Sequence, residues 1–163
     1  MPLDQKHIAA FQTIVGHKYV LIPGQDDLSH YNHDNRFVQD GAASLVVKPG
    51  STQEVSQVCA YAYAQNLALV PQSGNTGHQQ GALAHQGEVV VNIDRMTACR
   101  SIDVLNNSAV VEAGMILEEL HKLADDHDRL FPVSLAAKGS CRIGGNIATN
   151  AGGTGVLAYG NTR

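Results

Sequence analysis

Residues 4–15 place Ile8, Phe11, Ile14 and Val15 on one helical face, behind Asp4 as an N-cap and ahead of Gly16 as a stop. An N-terminal packing helix is predicted. Residues 23–41 are polar and rich in Asp, Asn and His, and they are expected to run over the surface as a long connection. Residues 44–48 then form a short apolar strand, broken by Pro49-Gly50-Ser51-Thr52. Ser51 and Glu54 make a capping box for a helix to about Gln65, with Val55, Val58, Cys59 and Ala62 as its buried stripe. Residues 67–70 give a second apolar strand. Strand, helix and strand in so short a stretch predict a right-handed parallel crossover.

Beyond a glycine-containing loop at 72–81, residues 88–93, 101–105 and 109–112 read as strands, the last two joined by a tight turn at Asn106-Asn107-Ser108. Residues 115–127 offer Leu117, Leu120, Leu123 and Ala124 at helical spacing, with Glu118 and Glu119 in the early turns. A second glycine-dense segment follows. No internal repeat interrupts this order. The pattern predicts an α/β (α+β) fold: a small parallel β-α-β subdomain, then the start of an antiparallel sheet.

Composition narrows the function classes. The 163 residues are 44% hydrophobic and 16% charged, a globular balance, and sixteen are glycine. The net charge of −4 and eleven scattered basic residues argue against a nucleic-acid partner. The first residues lack the order of a signal peptide, and no apolar run reaches the ~20 residues that span a bilayer. A cytoplasmic protein is expected, with peripheral membrane association left open. Cys59, Cys99 and Cys141 are far apart and without metal-ligand spacing, so reduced thiols are expected.

Two loops carry candidate chemistry. Pro71, Gln72, Ser73, Gly74, Asn75, Thr76 and Gly77 follow directly on an apolar strand, and strand ends are where ligands bind in such sheets. Gly74 and Gly77 are expected at positive φ, turning successive N–H groups into one concavity that holds an anion without Lys or Arg. An ordinary surface turn is an equal alternative for this loop alone. The second stretch runs from Pro132 through Gly139, Ser140, Gly144, Gly145, Thr149 and Asn150 to Gly153. Its small residues alternate with Ile143 and Ile147 at helical spacing, so it is expected to be ordered and closely packed against a flat or elongated ligand, the lesser alternative being a glycine-rich turn that packs two helices closely.

PQSGNTG followed by FPVSLAAKGSCRIGGNIATNAGG resembles the paired cofactor loops of the vanillyl-alcohol-oxidase-like flavoproteins, whose FAD-binding domain is of the PCMH type. Within them the D-lactate, glycolate and D-2-hydroxyglutarate dehydrogenase branch is the most similar. The likeness runs from about His33 to Arg163. Behind the N-terminal helix and connection of residues 1–40, it implies the first part of an FAD-binding domain over 41–163, truncated before completion. It also implies that the first loop, from Gln72 to Gly77, wraps the FAD pyrophosphate. The second, through Pro132, Gly139, Ser140, Gly144, Gly145, Thr149, Asn150 and Gly153, then lies along the pyrophosphate and flavin. Ser73 stands where many relatives have Gly. Thr76 stands where covalently flavinylated branches have His, with His78 two residues on, so non-covalent FAD is expected.

The resemblance implies oxidation of a 2-hydroxy acid to a 2-oxo acid with hydride passing to FAD. Base, substrate contacts and electron acceptor would be set by residues beyond this stretch, so no catalytic residue is nominated. The other class left open is a stand-alone FAD- or nucleotide-diphosphate-binding module acting with a partner chain. An unpaired sheet edge predicts a homo-oligomer that binds FAD weakly or not at all. Four other signals are set aside. The Gly153–Ala158 stretch formally fits GxGxxA but no strand leads into it; His30 and His33 lack a third metal ligand; the sequon at Asn106 matters only on secretion; Cys141 has no His partner in sequence.

Overall fold

In the computed structural model, which describes residues 3–34 and 39–162, the chain divides into two compact units, Met1–Arg95 and Met96–Arg163. The first begins with α1, Gln5–Val15, its Asp4 side chain accepting from the Lys6 N–H and Gly16 closing it at φ 91°. β1 (Val20–Leu21), α2 (Ser29–Asn32), β2 (Leu45–Val47), α3 (Thr52–Ala64), β3 (Leu69–Gln72) and β4 (Val89–Asn92) follow. Ser51 Oγ accepts from the Glu54 N–H at 3.1 Å, as the capping box requires. The returning arm differs: Glu54 Oε2 accepts from Gly50, one residue earlier than the box predicts.

The sheet order is β1-β2-β4-β3, with β2, β4 and β3 mutually parallel and β1 antiparallel at the edge. The crossover from β2 to β3 is therefore parallel, but β4 comes between them. Successive strand residues point to opposite faces. Leu45, Val47, Val89 and Val91 accordingly meet Ile8, Phe11 and Val15 of α1 and Val58 of α3. Val46 and Val90 meet Leu28, Tyr31, Ala43 and Ala84 on the other side. β4 is buried along its whole length, as a central strand covered on both faces should be.

Two expectations need correction here. Cys59 is exposed, and α3 packs through Val58, Ala62 and the partly buried Tyr61, whose ring stands edge-on to Phe11 at 5.3 Å. The helix turns this face inward because α1 lies across it. The connection at 23–41 is not wholly a surface feature, since Leu28, Tyr31 and Asp34 are buried. Residues 35–38 of that connection lie outside the described residues.

In the second unit β5 (Cys99–Asp103) and β6 (Ser108–Val111) form an antiparallel pair with an irregularity between Cys99 and Ser101. The turn occupies 104–107, one residue or more earlier than expected, with Asn107 at φ 51° and Asp103 Oδ1 accepting from the Asn106 N–H. α4, Leu117–Asp125, has no side-chain cap. Its first N–H groups, at Leu117 and Glu118, donate instead to the carbonyls of Cys141 and Lys138. α5 (Ile143–Ala148) and α6 (Val156–Tyr159) are short. The core gathers Met115, Leu117, Leu120, Val133, Cys141 and Ile143, so the glycine-dense segment is part of the packing.

Candidate cofactor site

The first loop leaves the sheet at the carboxyl ends of parallel strands β3 and β4. Pro71 is exposed on the edge strand β3, where a missing N–H costs no ladder bond. Gln72 is buried, and its Nε2 donates to the carbonyls of Tyr31 and Ala82, each at 2.9 Å. Asn92 Nδ2 donates to Gln72 Oε1 at 3.3 Å and to the Ser73 carbonyl at 3.4 Å, fixing the start of the loop to the neighbouring strand.

Ser73, Gly74, Asn75 and Thr76 are half-buried and Gly77 is exposed. The left-handed turn falls on Asn75, φ 48°, and on Gln80, φ 58°, whereas Gly74 and Gly77 keep negative φ. The expectation of positive φ at those glycines is thus corrected. Asn and Gln side chains supply hydrogen bonds that hold this conformation: Asn75 Nδ2 donates to the His33 carbonyl at 2.9 Å. Among the described residues the N–H groups of Ser73, Gly74, Thr76 and Gly77 donate to no protein acceptor. A Cβ built on Gly77 meets nothing within 4 Å.

Among the described residues, two cations of the same unit, Lys48 and Arg95, are paired elsewhere. Lys48 Nζ pairs with Asp94 at 3.0 Å, and Arg95 pairs with Glu54 at 3.5 Å while donating to the Lys48 carbonyl. The loop's own main-chain N–H dipoles are available to an anion. Half-buried N–H groups without acceptors fit a diphosphate, which offers several acceptor oxygens to a concave backbone.

The second stretch is built differently. Gly144 lies against Ala113: its N–H donates to the Ala113 carbonyl at 2.8 Å, and an added Cβ would sit 2.8 Å from the Ala113 Cβ. Gly153, at φ 117°, lies against Ser134, whose carbonyl an added Cβ would strike. Pro132 and Gly145 are half-buried; Gly139, Ser140, Thr149 and Asn150 are exposed. Thr149 Oγ1 donates back to the Gly145 carbonyl, and Asn150 takes φ 49°. Ile147 is 51% exposed, so the inward partner of Ile143 on α5 is Asn146. Among the described residues Arg142 Nε is a buried donor without a hydrogen-bond partner. Burial pushes the Cys141 thiol up, against a smaller downward pull from Asn146, so it is a packing residue rather than a thiolate.

Sequence reasoning missed Tyr31, His33, Asp34, Gln80 and Asn92, whose bonds hold the first loop in shape. His33 Nδ1 lies 3.6 Å from Asp40, and among the described residues no cluster capable of holding a metal ion occurs. No helix is long and apolar enough to cross a membrane among them.

Known proteins show the family and the fold. The chain is 41% identical over 98% of its length to a mitochondrial D-2-hydroxyglutarate dehydrogenase of Arabidopsis thaliana, and 44% identical over 84% to a D-2-hydroxyglutarate dehydrogenase of Xanthomonas citri. It spans only 28% and 29% of those two proteins. A solved alkyldihydroxyacetonephosphate synthase superposes with a TM-score of 0.85 at 18% identity, over 99% of this chain and 32% of that one, which speaks for the fold. Residues 43–163, including both loops, match the family described as FAD binding domain, and the chain belongs to that family.

Proposed function

We propose that this chain supplies the diphosphate-binding part of a flavin-dependent oxidoreductase that oxidises a D-2-hydroxy acid to the 2-oxo acid. The observation that carries the reading is that the N–H groups of the half-buried residues Ser73, Gly74 and Thr76 have no protein acceptor among the described residues. They hold the FAD diphosphate together with Pro71, Gln72, Asn75 and Gly77. Pro132, Gly139, Ser140, Gly144, Gly145, Thr149, Asn150 and Gly153 border the pyrophosphate and flavin. When bound, FAD supplies the acceptor for the hydride from the α-carbon. This chain's own part is to bind and orient it through fixed amide dipoles, which need no reorganisation.

The names of the Arabidopsis and Xanthomonas relatives favour D-2-hydroxyglutarate among 2-hydroxy acids. Attachment is non-covalent, because Thr76 at the tether position offers no ring nitrogen. The base and the substrate contacts belong to polypeptide beyond these residues, in keeping with relatives more than three times as long. Self-association through the open edge of the β5–β6 pair is part of the same proposal, supported by the exposed Leu105 and Val110 there. A cytoplasmic location also belongs to it and is read by fractionation, the name of the Arabidopsis relative placing that protein in mitochondria.

The test is the spectrum of the full natural polypeptide that contains this chain. It should purify yellow, release FAD on denaturation, and bleach without oxygen on adding D-2-hydroxyglutarate or D-lactate. A colourless protein that takes up no added FAD would overturn the reading.

A further inference from the structure

The stretch 72–82 is bonded at its start, middle and end to one short segment, residues 31–34. Gln72 Nε2 donates to the Tyr31 carbonyl and simultaneously to that of Ala82, which draws the two ends of the loop together. Asn75 Nδ2 donates to the His33 carbonyl, and Gln80 Nε2 donates to Asp34 Oδ2 at 2.5 Å. Asn75 and Gln80 are also the two residues of the loop in the left-handed region. Their strain is thus held by side-chain bonds to a common partner.

The partner segment is itself fixed. Asp34 is 3% exposed; its Oδ2 also accepts from the Gln39 N–H at 3.3 Å, and its own N–H donates to Asp40 at 3.0 Å. Tyr31 and Leu28 pack against Val46 and Val90 of the sheet, and the Asn32 carbonyl and Oδ1 accept from the N–H groups of Gly41 and Ala43. A carboxylate is a stronger acceptor than a carbonyl, so the Asp34 contact is the firmest of the set.

We propose that residues 31–34 are the template that shapes the glycine loop, and that Asp34, acting through Gln80, is a positioning residue for the cofactor diphosphate. The second half rests on the FAD reading above. Asp34 touches no cofactor atom in this account. It fixes the curvature that leaves the N–H groups of Ser73, Gly74 and Thr76 without acceptors among the described residues.

The test uses the full natural polypeptide that contains this chain, with backbone NMR order parameters at 73–81 measured without ligand and FAD affinity measured by flavin fluorescence. Gln80→Glu sets a carboxylate against the Asp34 carboxylate. Order parameters at 73–81 should fall from about 0.85 to below about 0.6, and FAD affinity should drop about tenfold or more, with Val89–Asn92 unchanged. Adding Asp34→Asn restores both, because the amide donates to the new carboxylate. Unchanged loop order in Gln80→Glu, or no restoration in the double variant, overturns the template. If Gln80→Glu fails to fold, Gln80→Ala, which removes the donor without adding charge, is read by the same criteria. A wild-type full polypeptide that binds no FAD sinks the FAD reading and the cofactor half of the proposal, while loop order still decides the template half.

Discussion

The loop at 72–82 and the segment at 132–153 are both rich in small residues, yet glycine has opposite uses in them. In the first, Gly77 faces open space and the shape comes from side-chain amides bonded to a distant segment. In the second, Gly144 and Gly153 press against Ala113 and Ser134, and the shape comes from close backbone packing around Val133, Cys141 and Ile143. Absence of a side chain leaves room for something outside the protein in one case and for the protein itself in the other. Similar composition therefore predicts different responses to the same kind of substitution.

The largest effect on stability is expected at Gly153. Gly153→Ala adds a Cβ to a left-handed backbone and drives it into the Ser134 carbonyl, and should cost about 3 kcal/mol or more. Urea unfolding followed by circular dichroism checks it; a loss under about 1 kcal/mol would erase the contrast between the loops. Gly144→Ala comes next. Its new methyl must displace Ala113, partly offset by better helix propensity, for a net loss of about 1–2 kcal/mol in the same measurement.

Much of the fold was legible before the structure. The α1 periodicity with Asp4 and Gly16 as its ends, and the Ser51 cap of α3, are local signals, and local signals survive folding. The order β2-β4-β3 was not read, although Val89, Val90 and Val91 form an unbroken apolar run suited to a central strand and Pro71 marks an edge. Strand adjacency is a long-range choice, and those two hints were its only local trace. Cys59 was misplaced because α1 selects which face of α3 turns inward.

The candidate site was legible as two stretches of chain but not as a mechanism of shaping. Glycine drew attention as the residue that turns the backbone, while the left-handed turns fall on Asn75 and Gln80. Their bonds to His33 and Asp34 span more than forty residues and leave no periodic signature. Asp34 itself sits in a polar stretch that reads as surface, yet it is buried.

Gly77 lies at the other end of the stability scale and tests the central claim most directly. A Cβ on Gly77 meets nothing within 4 Å, so for Gly77→Val thermal unfolding of the apoprotein should stay within about 0.5 kcal/mol of wild type. FAD titration of the same full polypeptide should show affinity falling about tenfold or more, because the new side chain fills the space beside the unspent N–H groups. Undiminished FAD affinity in Gly77→Val would contradict the account.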